Sequence, residues 1–93
     1  IKENDEMIII RDIRPKAPVH LLVIPKKHIL SVKDASQDDR NLLGELILSA
    51  RDIAQSQELS GYKLIFNVGR EGGQLIDHLH LHLLAGGDLK HLI

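Results

Sequence analysis

The chain contains no cysteine and no tryptophan. Without cysteine there are no disulfides, no thiolate metal sites and no cysteine nucleophile. The only aromatic residues are Tyr62 and Phe66, so any core has to be aliphatic. Neither sign of charge is in excess: 12 basic against 13 acidic residues give a formal net charge of −1. That balance argues against nucleic acid or an anionic membrane as partner. No apolar run approaches the roughly 20 residues of a membrane helix, and no signal-peptide pattern opens the chain. What is present is 93 residues, 43% apolar and 27% charged, the composition of one small globular domain. One residue type is abundant: there are six histidines, three of them within five positions.

The patterning predicts an α+β domain, an antiparallel sheet of four to five strands with one long helix packed on it. Residues 7–12 hold three consecutive isoleucines and read as a buried strand. Pro15 and Pro18 then break both helix and ladder. Val19 to Pro25 reads as a second strand, antiparallel to the first. Ser36 is a good N-cap, with Asp38 and Asp39 in the first turn, for a helix over about 37–57. Leu42, Leu43, Leu46, Ile47, Ala50, Ile53 and Ala54 fall on one arc of that helix and are its expected core face. Tyr62 to Val68 is strand-like, 69–74 is a Gly-rich loop, and Ile76 to Leu84 alternates with period two.

In a strand, His78, His80 and His82 share one face, while Leu79, Leu81 and Leu83 take the other. Three adjacent imidazoles are poor structural choices, because each needs a donor and an acceptor satisfied. Three readings follow: a solvated surface row, a His-x-His zinc site, or catalysis, with one imidazole as nucleophile or base and its neighbours holding its tautomer. The loop Gly69-x-x-Gly72-Gly73-Gln74 brings backbone N–H groups that suit an anion, and suggests phosphate. His20, among apolar residues of the second strand, is either a hydrogen-bonded half-buried side chain or a fourth member of the site.

The run His78-Leu79-His80-Leu81-His82-Leu83-Leu84 resembles the signature of the histidine triad (HIT) family. Asp12-Ile13-x-Pro15-x-Ala17-Pro18-x-His20-x-Leu22-Val23-Ile24-Pro25-Lys26-Lys27-His28 is similar to the first half of its Hint branch, and Asn67-x-Gly69-x-Glu71-Gly72-Gly73-Gln74 to its phosphate loop. The resemblance implies a hydrolase of nucleoside 5′-phosphoramidates or related nucleoside monophosphate conjugates, acting through a nucleotidyl-histidine intermediate. By position, His80 would be the nucleophile, His82 would contact phosphate and help in proton transfer, and His78 and His20 would orient them. Asn67, Gly73, Gln74 and the backbone N–H of Leu75 would hold phosphate oxygens. Asp12 would accept from the ribose hydroxyls, with Ile13, Ile10 and Leu22 lining the nucleoside pocket. A purine nucleotide of the AMP kind is the implied ligand, with no cofactor, no metal, and a cytoplasmic location.

The sequence departs from the branch at Leu75, where Ser or Thr is usual, and at Ala85, where Gly is usual. Family members usually carry a further N-terminal segment, so residues 1–93 are expected to form a single such domain without it. Two other functions stay open: a nucleotide-binding regulatory module of low turnover, favoured by Leu75, and a zinc protein using His78, His80 and His82, with or without His20. A homodimer is expected from the resemblance. Leu48 lies outside the helical core arc, on a stripe with Gly44 and Gln55, and the sheet has open edges.

Overall fold

The computed structural model describes residues 1–89. In chain order the elements are β1 (Lys2–Glu3), β2 (Met7–Arg11), β3 (Val19–Pro25), α1 (Arg40–Ser56), β4 (Lys63–Ile65) and β5 (Leu81–Ala85). The strands form one antiparallel sheet in the order β1-β2-β3-β5-β4. The α+β expectation therefore holds, with β1 as the fifth strand. No helix among the described residues is long and apolar enough to cross a membrane.

Strand alternation sorts side chains onto two faces. Met7, Ile9, Leu21, Val23, Leu81 and Leu83 fill the core face, under Leu46, Ala50, Ile53 and Ala54 of α1. The helix begins later than its pattern suggested, because Gln37–Asp39 is a 3-10 turn leading into it. Ser36 still caps this entry: its hydroxyl accepts from the N–H of Asp38, and the Asp39 carboxylate accepts from the N–H of Ser36. The same Asp39 carboxylate pairs with Lys27 at 2.5 Å, tying the start of the helix to the segment after β3. That lysine and the bonds to Ser36 hold the Asp39 carboxyl below its usual range.

Three expectations need correction. Ile47, assigned to the core arc, is 43% exposed. The helix lies over β3 and β5, and Ile47 falls at the edge of its apolar arc. The strand expected over Tyr62–Val68 pairs only at Lys63–Ile65. The strand expected over Ile76–Leu84 begins at Leu81, where pairing with Val23 of β3 starts. Ahead of it the chain leaves the ladder, and the N–H of Leu79 donates instead to Ile29 O at 2.7 Å. The alternation itself survives: Leu79, Leu81 and Leu83 are all buried, and the three histidines face away from that core.

Candidate active site

The face of the sheet opposite the helix carries the site. The register aligns Ile10, Leu22, His82 and Ile65 in one row across β2, β3, β5 and β4. His20 stands two residues from Leu22 on the same face, and is buried. Ile10 and Leu22, expected to line a nucleoside pocket, are thus half-buried walls beside His82. Ile13, expected with them, is 91% exposed beyond the end of β2.

Hydrogen bonds to backbone groups set the tautomers of the imidazoles. The N–H of Lys16 donates to His20 Nδ1 at 3.0 Å. A nitrogen that accepts carries no hydrogen, so neutral His20 holds its proton on Nε2. That Nε2 lies 2.9 Å from His82 Nδ1 and 3.4 Å from Asp12 Oδ2. His20 therefore donates to His82, and neutral His82 keeps its proton on Nε2. His80 is set in the opposite sense. Its Nδ1 is 2.7 Å from the carbonyl of His78. A carbonyl only accepts, so the proton sits on Nδ1 and the Nε2 lone pair is bare. The rings of His80 and His82 lie 4.9 Å apart at 62°, a lone pair on one beside an N–H on the other.

Burial pushes the His82 imidazole down to about 4, helped by the neighbouring His80 and His20. Burial also lowers His20, against the opposing pull of Asp12. An unfolded chain would protonate His82 near 6.5, whereas the native state refuses that proton until about 4. The stabilisation from keeping it neutral is therefore whole above pH 6.5 and is lost as pH falls through this window. Urea denaturation of the wild type is expected to lose about 2 kcal/mol more between pH 7 and 4.5 than that of His82→Gln, which has no imidazole there to titrate. Parallel pH profiles for the two proteins would contradict this account.

Asp12, His20 and His82 are the group of three among the described residues whose ligand atoms lie within 4.8 Å of one another. The zinc reading through His78, His80 and His82 finds no such convergence. Within that group His20 and His82 are hydrogen-bonded directly to each other. The His20 and His82 ring centroids are 5.1 Å apart for a 2.9 Å contact, so the two nitrogens meet nearly in line. Two nitrogens bound to one tetrahedral zinc ion lie about 3.3 Å apart, and the contact here is shorter, at 2.9 Å. It is the length of a hydrogen bond.

The glycine-rich loop is built around Gln74. Its N–H donates to Gly69 O, its side-chain oxygen accepts from Gly69 N–H, and its amide nitrogen donates to Leu30 O and Ile76 O. With both N–H and side-chain amide committed, Gln74 shapes the loop. Asn67 donates to Gly72 O at 3.0 Å and lies against Gly73, whose φ of +89° is a left-handed conformation that favours glycine. Arg70 closes the loop onto Gln74 O and Asp77. Leu75, next in sequence, is 82% exposed. Sequence reasoning passed over the Lys16 N–H, the Pro25 carbonyl and His28, which bond to His20 and His78. Two of these are main-chain groups, and no residue-type signal reports them.

Comparison with known proteins gives a consistent picture. Residues 1–90 match the family model described as scavenger mRNA decapping enzyme C-term binding. A HIT-like protein of Chlamydia muridarum is 48% identical over 89 residues, covering 91% of this chain and 68% of that protein. A HIT-like protein of Synechococcus elongatus is 43% identical over 90 residues, covering 96% and 79%. Among solved structures, a HIT family hydrolase from Legionella pneumophila superposes with a TM-score of 0.93 at 47% identity, covering 97% of this chain and 82% of that one.

Proposed function

The chain belongs to the histidine triad family, and on that premise we propose that it hydrolyses nucleoside 5′-phosphoramidates, or related nucleoside monophosphate conjugates, through a nucleotidyl-His80 intermediate. The observation that carries the reading is the opposed pair of tautomers: a bare His80 Nε2 beside a His82 Nε2 that bears hydrogen.

In the first step His80 Nε2 attacks the α-phosphorus, the N–P bond forms, and the P–N bond to the leaving amine breaks, the amine nitrogen taking up a proton from solvent. The ring becomes cationic, and its Nδ1–H bond to the His78 carbonyl then stabilises that charge. In the second step water attacks the same phosphorus. The bond to His80 breaks, nucleoside monophosphate leaves, neutral His80 is restored, and the proton lost by the attacking water returns to solvent. His82 donates its Nε2–H to a phosphoryl oxygen as charge develops there. Asn67, Gly73 and the N–H of Leu75 hold the remaining oxygens, within the loop that Gln74 fixes. Asp12 takes the ribose hydroxyls while it supports His20, and Ile10, Leu22 and Ile13 flank the base.

The direct test is release of AMP from adenosine 5′-phosphoramidate. Quenching in alkali, where phosphohistidine survives, should show by mass spectrometry one added nucleotidyl group on the peptide carrying His80. A nucleotide that binds and is never turned over would leave the regulatory reading, which exposed Leu75 favours.

The reading includes a homodimer. Ile47 and Leu48 on α1, with Tyr62, Leu64 and Val68 around β4, are all exposed. A Cβ added at Gly44 would meet open space, so another chain can approach closely there. Light scattering at micromolar concentration should give roughly twice the 10.4 kDa chain mass. Leu48→Glu should return it to the monomer value, and a dimer that survived the charge would move the contact elsewhere.

A further inference from the structure

His28 has no part in the chemistry above, yet it bonds to the site. It lies three residues past the end of β3 and is exposed. Its Nδ1 is 3.1 Å from His78 Nδ1. The other nitrogen of His78 lies 2.7 Å from the carbonyl of Pro25. Because that carbonyl only accepts, neutral His78 carries its proton on Nε2, and its Nδ1 is an acceptor. His28 must then donate, through Nδ1–H. The His78 ring is thus held at both nitrogens, and the carbonyl of the same residue is the group that holds His80 Nδ1–H.

The position of this carbonyl needs such support. Residues 78–80 lie before the β5 ladder, so no sheet partner fixes their peptides. Three bonds from the end of β3 and the segment after it take the ladder's place: Pro25 O and His28 to the ring of His78, and Ile29 O to the N–H of Leu79. Two of the acceptors are main-chain carbonyls. His28 is the member supplied by a side chain, and so the one that sequence can change.

We propose that His28 is a positioning residue for the nucleophile: by donating to His78 Nδ1 it holds the His78 carbonyl that keeps His80 with its proton on Nδ1 and its Nε2 free. The proposal rests on the reading of His80 as nucleophile. His28 touches neither substrate nor reacting atoms, so its removal acts on the chemical step and leaves binding alone.

The experiment pairs steady-state kinetics on adenosine 5′-phosphoramidate with 15N spectra of the histidine rings in the substrate-free protein. His28→Ala is expected to lower kcat about tenfold with KM nearly unchanged, the loss of one hydrogen bond acting in the transition state. His28→Asn, whose amide nitrogen takes the place of Nδ1, should restore kcat to within about threefold of wild type. The spectra should show His80 protonated at Nδ1 in the wild type and the Asn variant, and a mixture of tautomers in the Ala variant. An Ala variant with wild-type kcat overturns the proposal, as does an Asn variant as slow as Ala, or a His80 tautomer indifferent to residue 28. If the wild type itself releases no AMP, the proposed activity fails; the spectra, which need no substrate, then decide the role of His28 by themselves.

Discussion

Replacing His80 by alanine should reduce AMP release from adenosine 5′-phosphoramidate by about a thousandfold or more, roughly 4 kcal/mol in the barrier. Nucleotide affinity should stay within severalfold of wild type. The expectation follows from what the bond between His80 Nδ1 and the His78 carbonyl does: it commits the ring to presenting an unprotonated Nε2. Among His20, His78, His80 and His82, only His80 is set that way with a free nitrogen. His82 carries hydrogen on Nε2, and both nitrogens of His20 and of His78 are bonded. The adduct should vanish with the activity, and the retained nucleotide affinity separates loss of a nucleophile from loss of folding. A variant retaining a tenth of the wild-type kcat would take the nucleophile's role from His80.

His82 should show a different pattern. For this ring to act as an acid it must hold protons on both nitrogens. The second proton would fall on Nδ1, where His20 already donates, and His20 cannot turn its other face because Lys16 N–H occupies it. Burial opposes the same cation. His82 is therefore a neutral donor to phosphoryl oxygen. His82→Ala should lower kcat about 10²–10³-fold, the range found when one oxyanion donor is lost. The loss should be the same for an amine leaving group and for p-nitrophenolate, which needs no proton. His82→Gln, with an amide N–H near the position of Nε2, should recover most of the rate. If the p-nitrophenyl ester escaped the penalty that the amidate suffers, His82 would be delivering a proton to the leaving group.

Much of this arrangement is legible in the sequence, and for identifiable reasons. The VHLLVIP strand was located to the residue because proline and charge bound it on both sides. Alternation placed Leu79, Leu81 and Leu83 in the core correctly, since side-chain direction persists even where the ladder does not. How far a strand extends is another matter, because it depends on the partner. Pairing with β3 ends at Val23, and Leu79 turns to Ile29 O instead. Ile47 shows the same limit on the helix: periodicity gives its direction, but not how far round the arc burial extends. The histidines declared themselves as a cluster, but not their roles. Those depend on contacts between residues as far apart as His20 and His82, or His28 and His78, and on main-chain groups that any residue could supply. Gln74 reads in the sequence as part of an anion loop, while its bonds to Gly69, Ile76 and Leu30 appear only once the chain is folded.

The turn before β3 gives the site a tolerance that its histidines lack. The amide of residue 16 determines which way hydrogens point along His20 and His82, and an amide is common to nineteen of the twenty residue types. The side chain at that position takes no part in the hydrogen bond; its charge adds to burial in keeping His20 and His82 neutral. Proline is the exception, although the sequence has prolines at 15 and 18 on either side. A lineage could therefore exchange size and shape at residue 16, and would break the hydrogen bond that orients the imidazole pair by placing a proline there.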